Sequence, residues 1–195
     1  MTGEYKTRSA NALYCQIHDL LQGMNMTLFD IVNIIGSTIY FVIAVLLAWL
    51  SRIPRTNPGA GWWAAAIFCG FSARVSLIIM LPLNELRTAE SIYAIFIMLE
   101  KLLLLIGACK FFNCLHFVRF CLMGFGIASV WIASSWIIQV NTLAFSISLA
   151  IFNTCALFFL GFIIYRERHS LPNHLLLFAA GICFVFGLYW QTYPL

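Results

Sequence analysis

Six runs of apolar residues, each roughly 18 to 24 long and almost free of charge, follow one another along the chain, and a helix needs about 20 such residues to cross the hydrocarbon core of a bilayer. The pattern predicts spans at about 26–50, 61–82, 91–109, 117–138, 142–165 and 174–190. Polar or helix-breaking residues separate them: Pro54, Pro58 and Gly59 after the first, Asn84, Glu85 and Arg87 after the second, Gln139 and Asn141 after the fourth, and Arg166, Arg168 and Pro172 after the fifth. The expected fold class is therefore all-α, a polytopic transmembrane helical bundle. Ahead of it, in residues 1–25, Leu13, Ile17, Leu20, Leu21 and Met24 recur at helical spacing. This predicts an amphipathic segment at the membrane interface, or a short helix docked on the bundle. It lacks the continuous apolar core of a signal peptide.

Composition agrees with lipid as the solvent. Hydrophobic residues make up 63% of the 195 and charged residues 9%, too little polar surface to cover a water-soluble globule of this size. The few bases are asymmetric: Arg52 and Arg55, Lys110 and Arg119, and Arg166 and Arg168 fall in alternate connections, whereas the other side collects Glu4, Asp19, Asp30, Glu85 and Glu90. Basic residues stay cytoplasmic, which predicts both termini on the outer side. Tyr40, Trp49, Trp62, Trp63, Tyr165, Tyr189 and Trp190 lie mostly near span ends, as interfacial anchors do.

Little in the spans carries recognisable chemistry. The seven cysteines, at 15, 69, 109, 114, 121, 155 and 183, match no paired or zinc-binding spacing, and they read as packing residues. His18, His116, His169 and His174 sit at interfaces or in loops, where two imidazoles do not face each other across a haem. Ser134 and Ser135 lack a glycine-framed nucleophile motif. Neither a metal, a cofactor nor a nucleic acid is expected to bind, and no catalytic residue is assigned. No internal repeat supports an inverted-repeat transporter.

Three ionisable residues lie inside spans, Arg74 in the second and Glu100 and Lys101 in the third. A charge at the bilayer centre costs ~3 kcal/mol or more, so each must face the bundle interior and find a partner. At 1.5 Å per residue Arg74 lies ~20 Å from the cytoplasmic start of its helix and Glu100 ~15 Å from the cytoplasmic end of its own. The offset of ~5 Å is within reach of an arginine, so an Arg74–Glu100 pair across the second and third spans is expected. The surplus positive charge would be met by carbonyls, by Asn33 or Asn153, or by an acidic ligand, which makes Arg74, Glu100, Lys101, Asn33 and Asn153 the candidate polar or ligand site. Ala66 and Gly70, Gly124 and Ala128, and Ser129 and Ala133 place small residues four apart. Such faces allow close helix contact, either within the chain or in a homodimer.

Asp30 at the opening of the first span, the Arg/Pro-rich turn, the run Pro58-Gly59-Ala60-Gly61-Trp62-Trp63, and the third span closing in Ile106-Gly107-Ala108-Cys109-Lys110-Phe111-Phe112 together resemble the amino-terminal membrane regions of bacterial diguanylate cyclases of the GGDEF family. The likeness covers about residues 30–113 and rests on hydropathy marks. It implies a sensory and anchoring input module in the bacterial inner membrane whose output is cyclic di-GMP synthesis. The GGDEF motif itself is missing, so this chain is expected not to be an enzyme but the input half, with one further crossing needed after Leu195 to reach a cytoplasmic output domain. A small-molecule transporter or channel subunit is the alternative, motivated by the mid-membrane charges.

Overall fold

The computed structural model describes residues 28–53, 59–80, 86–167 and 173–192, with 28–30, 32, 33, 86, 173 and 190–192 described by backbone only. The amphipathic segment 1–25, the turn residues Arg55, Pro58 and Glu85, the loop residues Arg168 and His169, and the side chains of Asp30 and Asn33 lie outside the described residues.

Every described element is an α-helix: α1 (Leu28–Ser51), α2 (Ala60–Met80), α3 (Leu86–Phe111), α4 (His116–Ile138), α5 (Thr142–Arg166) and α6 (Asn173–Thr192). In the first five, the stretches Ile34–Ser51, Ala60–Met80, Arg87–Phe111, His116–Ile138 and Thr142–Arg166 are long and apolar enough to cross a bilayer. The described apolar stretch of α6, His174–Tyr189, is shorter. The protein is thus a multi-pass, all-helical membrane protein. α3 begins well before the predicted start at residue 91. The helix continues through Arg87 and Glu90 because charges in a terminal turn reach interfacial water without breaking the backbone ladder.

Connections are tight where they are described. α3 ends through Asn113, whose φ of 56° is left-handed, and the Cys114 amide donates back to the Cys109 carbonyl at 2.8 Å, a Schellman-type closure. α4 ends in the same way at Gln139, φ 59°, whose N–H reaches the Ser135 carbonyl. Two residues on, the Asn141 side chain caps α5 by accepting from the Leu143 amide at 3.2 Å.

Residues 37–195 form one compact unit, and of the unit 1–36 the described part is the opening turns of α1. Within the compact unit α3 is the hub, packed against α2, α4 and α5, while α6 packs on α5. Ala89, Ala94, Ile97, Met98 and Cys109 of α3 are buried almost completely. α1 meets α2 through Phe41 against Phe71, ring centroids 5.4 Å apart. The α4 stripe Phe117, Cys121, Phe125, Ala128, Ile132 and Ser135 follows the three- and four-residue spacing of one helix face toward the core. Its other faces carry Ile127 and Ile137, 72% and 74% exposed, which suit a lipid solvent.

A candidate polar site at mid-membrane

Glu100 and Lys101 sit near the middle of α3, 2% and 6% exposed. Neighbouring helical side chains point about 100° apart and do not ordinarily face each other. Here the long lysine stem folds round so that Nζ donates to Glu100 Oε1 at 2.7 Å, a buried ion pair. Glu100 therefore takes its charge partner from its own helix and not from Arg74. The other oxygen, Oε2, is buried and accepts no hydrogen bond. It lies against the glycine notch of α2: a Cβ built on Gly70 would stand 2.8 Å from it.

Arg74 converges on the same notch from the α2 side. Its Nη1 donates to the Gly70 carbonyl at 3.1 Å, and its guanidinium carbon lies 3.9 Å from the centroid of the Tyr40 ring on α1. The ring in turn lies over Gly70, where an added Cβ would collide with Tyr40 Cε1 and meet Cδ1 at 2.8 Å. The depth matching of Arg74 and Glu100 thus brings both to one glycine. The cation is satisfied by a carbonyl and an aromatic face, which leaves the carboxylate to Lys101. Sequence spacing could not reveal this because it carries no information on Tyr40, which enters from a third helix.

Asn153, at the middle of α5, is fully buried, and neither its Nδ2 nor its Oδ1 makes a hydrogen bond. No bond joins it to Glu100 or Lys101. Asn33 lies outside the described side chains. The candidate set is therefore one tight cluster, Tyr40, Gly70, Arg74, Glu100 and Lys101, plus a separate orphaned amide.

The small residues divide in the same way. Ala66 is fully buried and Gly70 is the notch at the α2–α3 seam. On α4, Ala128 is half-buried against the core and the Ser129 hydroxyl donates to the Phe125 carbonyl at 2.8 Å. Gly124 and Ala133 are exposed, and a Cβ at Gly124 would meet no atom within 4 Å. Within this chain no helix closes on either position: Gly124 borders an open apolar groove with Leu102, Leu105 and Phe152, and Ala133 falls off the stripe that α4 turns toward α3.

Other contacts were missed in the sequence. Gly107 of α3 sits under Trp63 of α2, where a Cβ would overlap the indole. Gly161 abuts Phe184 and the Ala180 carbonyl, and Gly187 abuts Phe158, so α5 and α6 interlock through two glycines that are not spaced four apart with another small residue. The Thr154 hydroxyl adds a bond across this seam, 2.8 Å from the Gly187 carbonyl. The available signal was glycine in a span without any loop role.

Cys109, Cys114 and Cys121 gather in the core at the α3–α4 turn. Burial, with Cys109 adding to it, pushes the Cys114 thiol up to about 12. Among the described residues no group of three or more His, Cys, Asp or Glu is placed to hold a metal ion. At the same end of the bundle Lys110 stands over Trp62 at 4.6 Å and Arg166 over Phe117 at 5.2 Å. These are basic side chains laid back on aromatic anchors.

No protein-family model, curated protein or solved structure matches the chain.

Proposed function

We propose that the chain is a membrane-embedded sensory and anchoring input module of a bacterial signal-transduction protein. It resides in the inner membrane with its basic turns in the cytosol and both termini outside, and its output is cyclic di-GMP synthesis by a cytoplasmic domain that is separate or missing from this sequence. The observation that carries this reading is the buried Glu100 carboxylate, with one oxygen paired and the other pressed unpaired into the α2–α3 seam. An orphaned polar atom is costly in a dry interior. A rearrangement that gave Oε2 a donor would recover that cost, so the seam favours two packings of α2 on α3 that a ligand or membrane state can bias. The Arg74–Tyr40 stack would carry such a shift to α1. A homodimer through the exposed Ala133 face of α4 would pass it to a partner copy.

The described helices run without an internal break, which supports a packing switch over a broken-helix transport site. The orphaned Asn153 amide is what favours the transport reading. One pair of measurements separates the two. The chain is joined through one added crossing to a diguanylate cyclase domain, and cyclic di-GMP is measured for the parent, Gly70→Ala and Glu100→Gln at equal membrane levels. Output changing severalfold between seam variants is expected. Unchanged output in every inserted variant, together with solute flux in proteoliposomes that Asn153→Leu abolishes, would replace signalling by transport.

A further inference from the structure

At the end of the bundle away from Lys110 and Arg166, the first turns of α3, the last turn of α4 and the start of α5 enclose a cavity of about 140 Å³, lined among others by Arg87, Glu90, Ser91, Ser135, Trp136 and Thr142. Arg87 and Glu90 stand three apart on one helix, the spacing at which opposite charges ordinarily pair. They do not: the ion pairs among the described residues are Lys101–Glu100 and Arg166–Glu167. Arg87 instead donates one Nη2 hydrogen bond to the Ser135 carbonyl at 3.2 Å. That contact fixes the guanidinium across α3 and α4 and leaves its other N–H groups unspent.

The hydroxyls sort by what they can still offer. Ser91 donates to the Arg87 carbonyl at 2.9 Å and Ser135 to the Ile132 carbonyl at 2.9 Å. Their protons are committed, and only lone pairs remain for a ligand. With the Glu90 carboxylate they form an accepting side suited to an ammonium that carries hydrogens. Arg87 forms the donating side, with the Thr142 hydroxyl available to it, and suits a phosphate. The mouth gives the source of the ligand. Trp136 is 58% exposed and is followed by the lipid-facing Ile137 and Ile138, so the cavity opens at the depth where an indole anchors and lipid headgroups lie.

We propose that this cavity binds the phosphate–ammonium headgroup of an aminophospholipid, with phosphate on Arg87 and ammonium on Glu90. The site is separate from the mid-membrane cluster and does not depend on the signalling reading.

The test is native mass spectrometry of the full chain released from detergent with added phosphatidylethanolamine, phosphatidylcholine or phosphatidylglycerol. Phosphatidylethanolamine should bind at least about tenfold more tightly than phosphatidylcholine, whose quaternary nitrogen has no N–H to give, a difference on the scale of one charge-assisted contact. Glu90→Gln should remove this preference while phosphatidylglycerol binding persists, and Arg87→Gln should weaken all three. If Arg87→Gln fails to fold, Arg87→Lys, which keeps the charge and loses the fork, should weaken them less. Equal binding of the three lipids, unchanged by Glu90→Gln, would overturn the assignment. Soluble glycerophosphoethanolamine competing as well as the lipid would overturn the lipid source.

Discussion

Replacing Gly70 by alanine tests the seam directly, because two opposing effects can be weighed from the structure. The added Cβ would lie 2.8 Å from Glu100 Oε2 and from Tyr40 Cδ1, and nearer still to Tyr40 Cε1. Carbon atoms rest ~3.5–4.0 Å apart, so the ring must retreat by roughly 1 Å. It is not free to do so: the Arg74 guanidinium stacks on it at 3.9 Å, and Glu100 is tethered to Lys101 at 2.7 Å. Overpacking of this kind costs about 1–3 kcal/mol, while alanine in place of glycine in a helix returns ~1 kcal/mol. The net expectation is a loss of about 0–2 kcal/mol. Gly124→Ala is the matched control, since its Cβ meets nothing within 4 Å and only the gain of up to ~1 kcal/mol remains. The two variants should therefore differ by about 1–3 kcal/mol, or roughly 2–12 °C in midpoint for a chain of this size. Tryptophan fluorescence during heating in one detergent at one scan rate reads the difference. In a Tyr40→Ala background the Gly70→Ala penalty should shrink, the coupling expected of groups in contact. A Gly70→Ala protein that melts as high as Gly124→Ala, or a penalty indifferent to Tyr40, would refute the seam geometry.

Glu100→Gln leaves the Lys101 ammonium buried without its anion and should destabilise by about 3–5 kcal/mol. Glu100→Gln with Lys101→Met should recover much of that loss, whereas Glu100→Gln with Arg74→Met should not; the three midpoints decide it. Thr154→Val removes the hydroxyl bond to the Gly187 carbonyl between α5 and α6, an expected loss of about 0.5–1.5 kcal/mol in reversible unfolding. Asn153→Leu replaces an amide with no hydrogen bond by an apolar group of similar size, and its melting point should equal or exceed the parent's. Burial holds the Cys114 thiol at about 12, above an unperturbed thiol near ~8.5. Its contribution to stability is complete below the unfolded value and is lost as pH rises through the folded one. In the folded protein Cys114 should resist iodoacetamide at pH 9 and react once the chain is denatured, as peptide mapping would show.

The class of structure and the approximate places of the described helices were legible in the sequence, because in lipid the backbone has few alternatives to the helix and apolar length marks a crossing. So was the common level of Arg74 and Glu100, which meet at Gly70, since rise per residue is constant along a helix. Which helix lies at the centre was not: every span is apolar enough to face lipid, and the burial of α3 follows from contacts with α2, α4 and α5 at once. The partner of Glu100 depended on a side chain from α1 claiming Arg74, and the fate of Ala133 on which face α4 turns to α3. Spacing of small residues says that two helices can touch, and only the tertiary arrangement decides which do, because every face of a span is apolar enough to satisfy either lipid or protein.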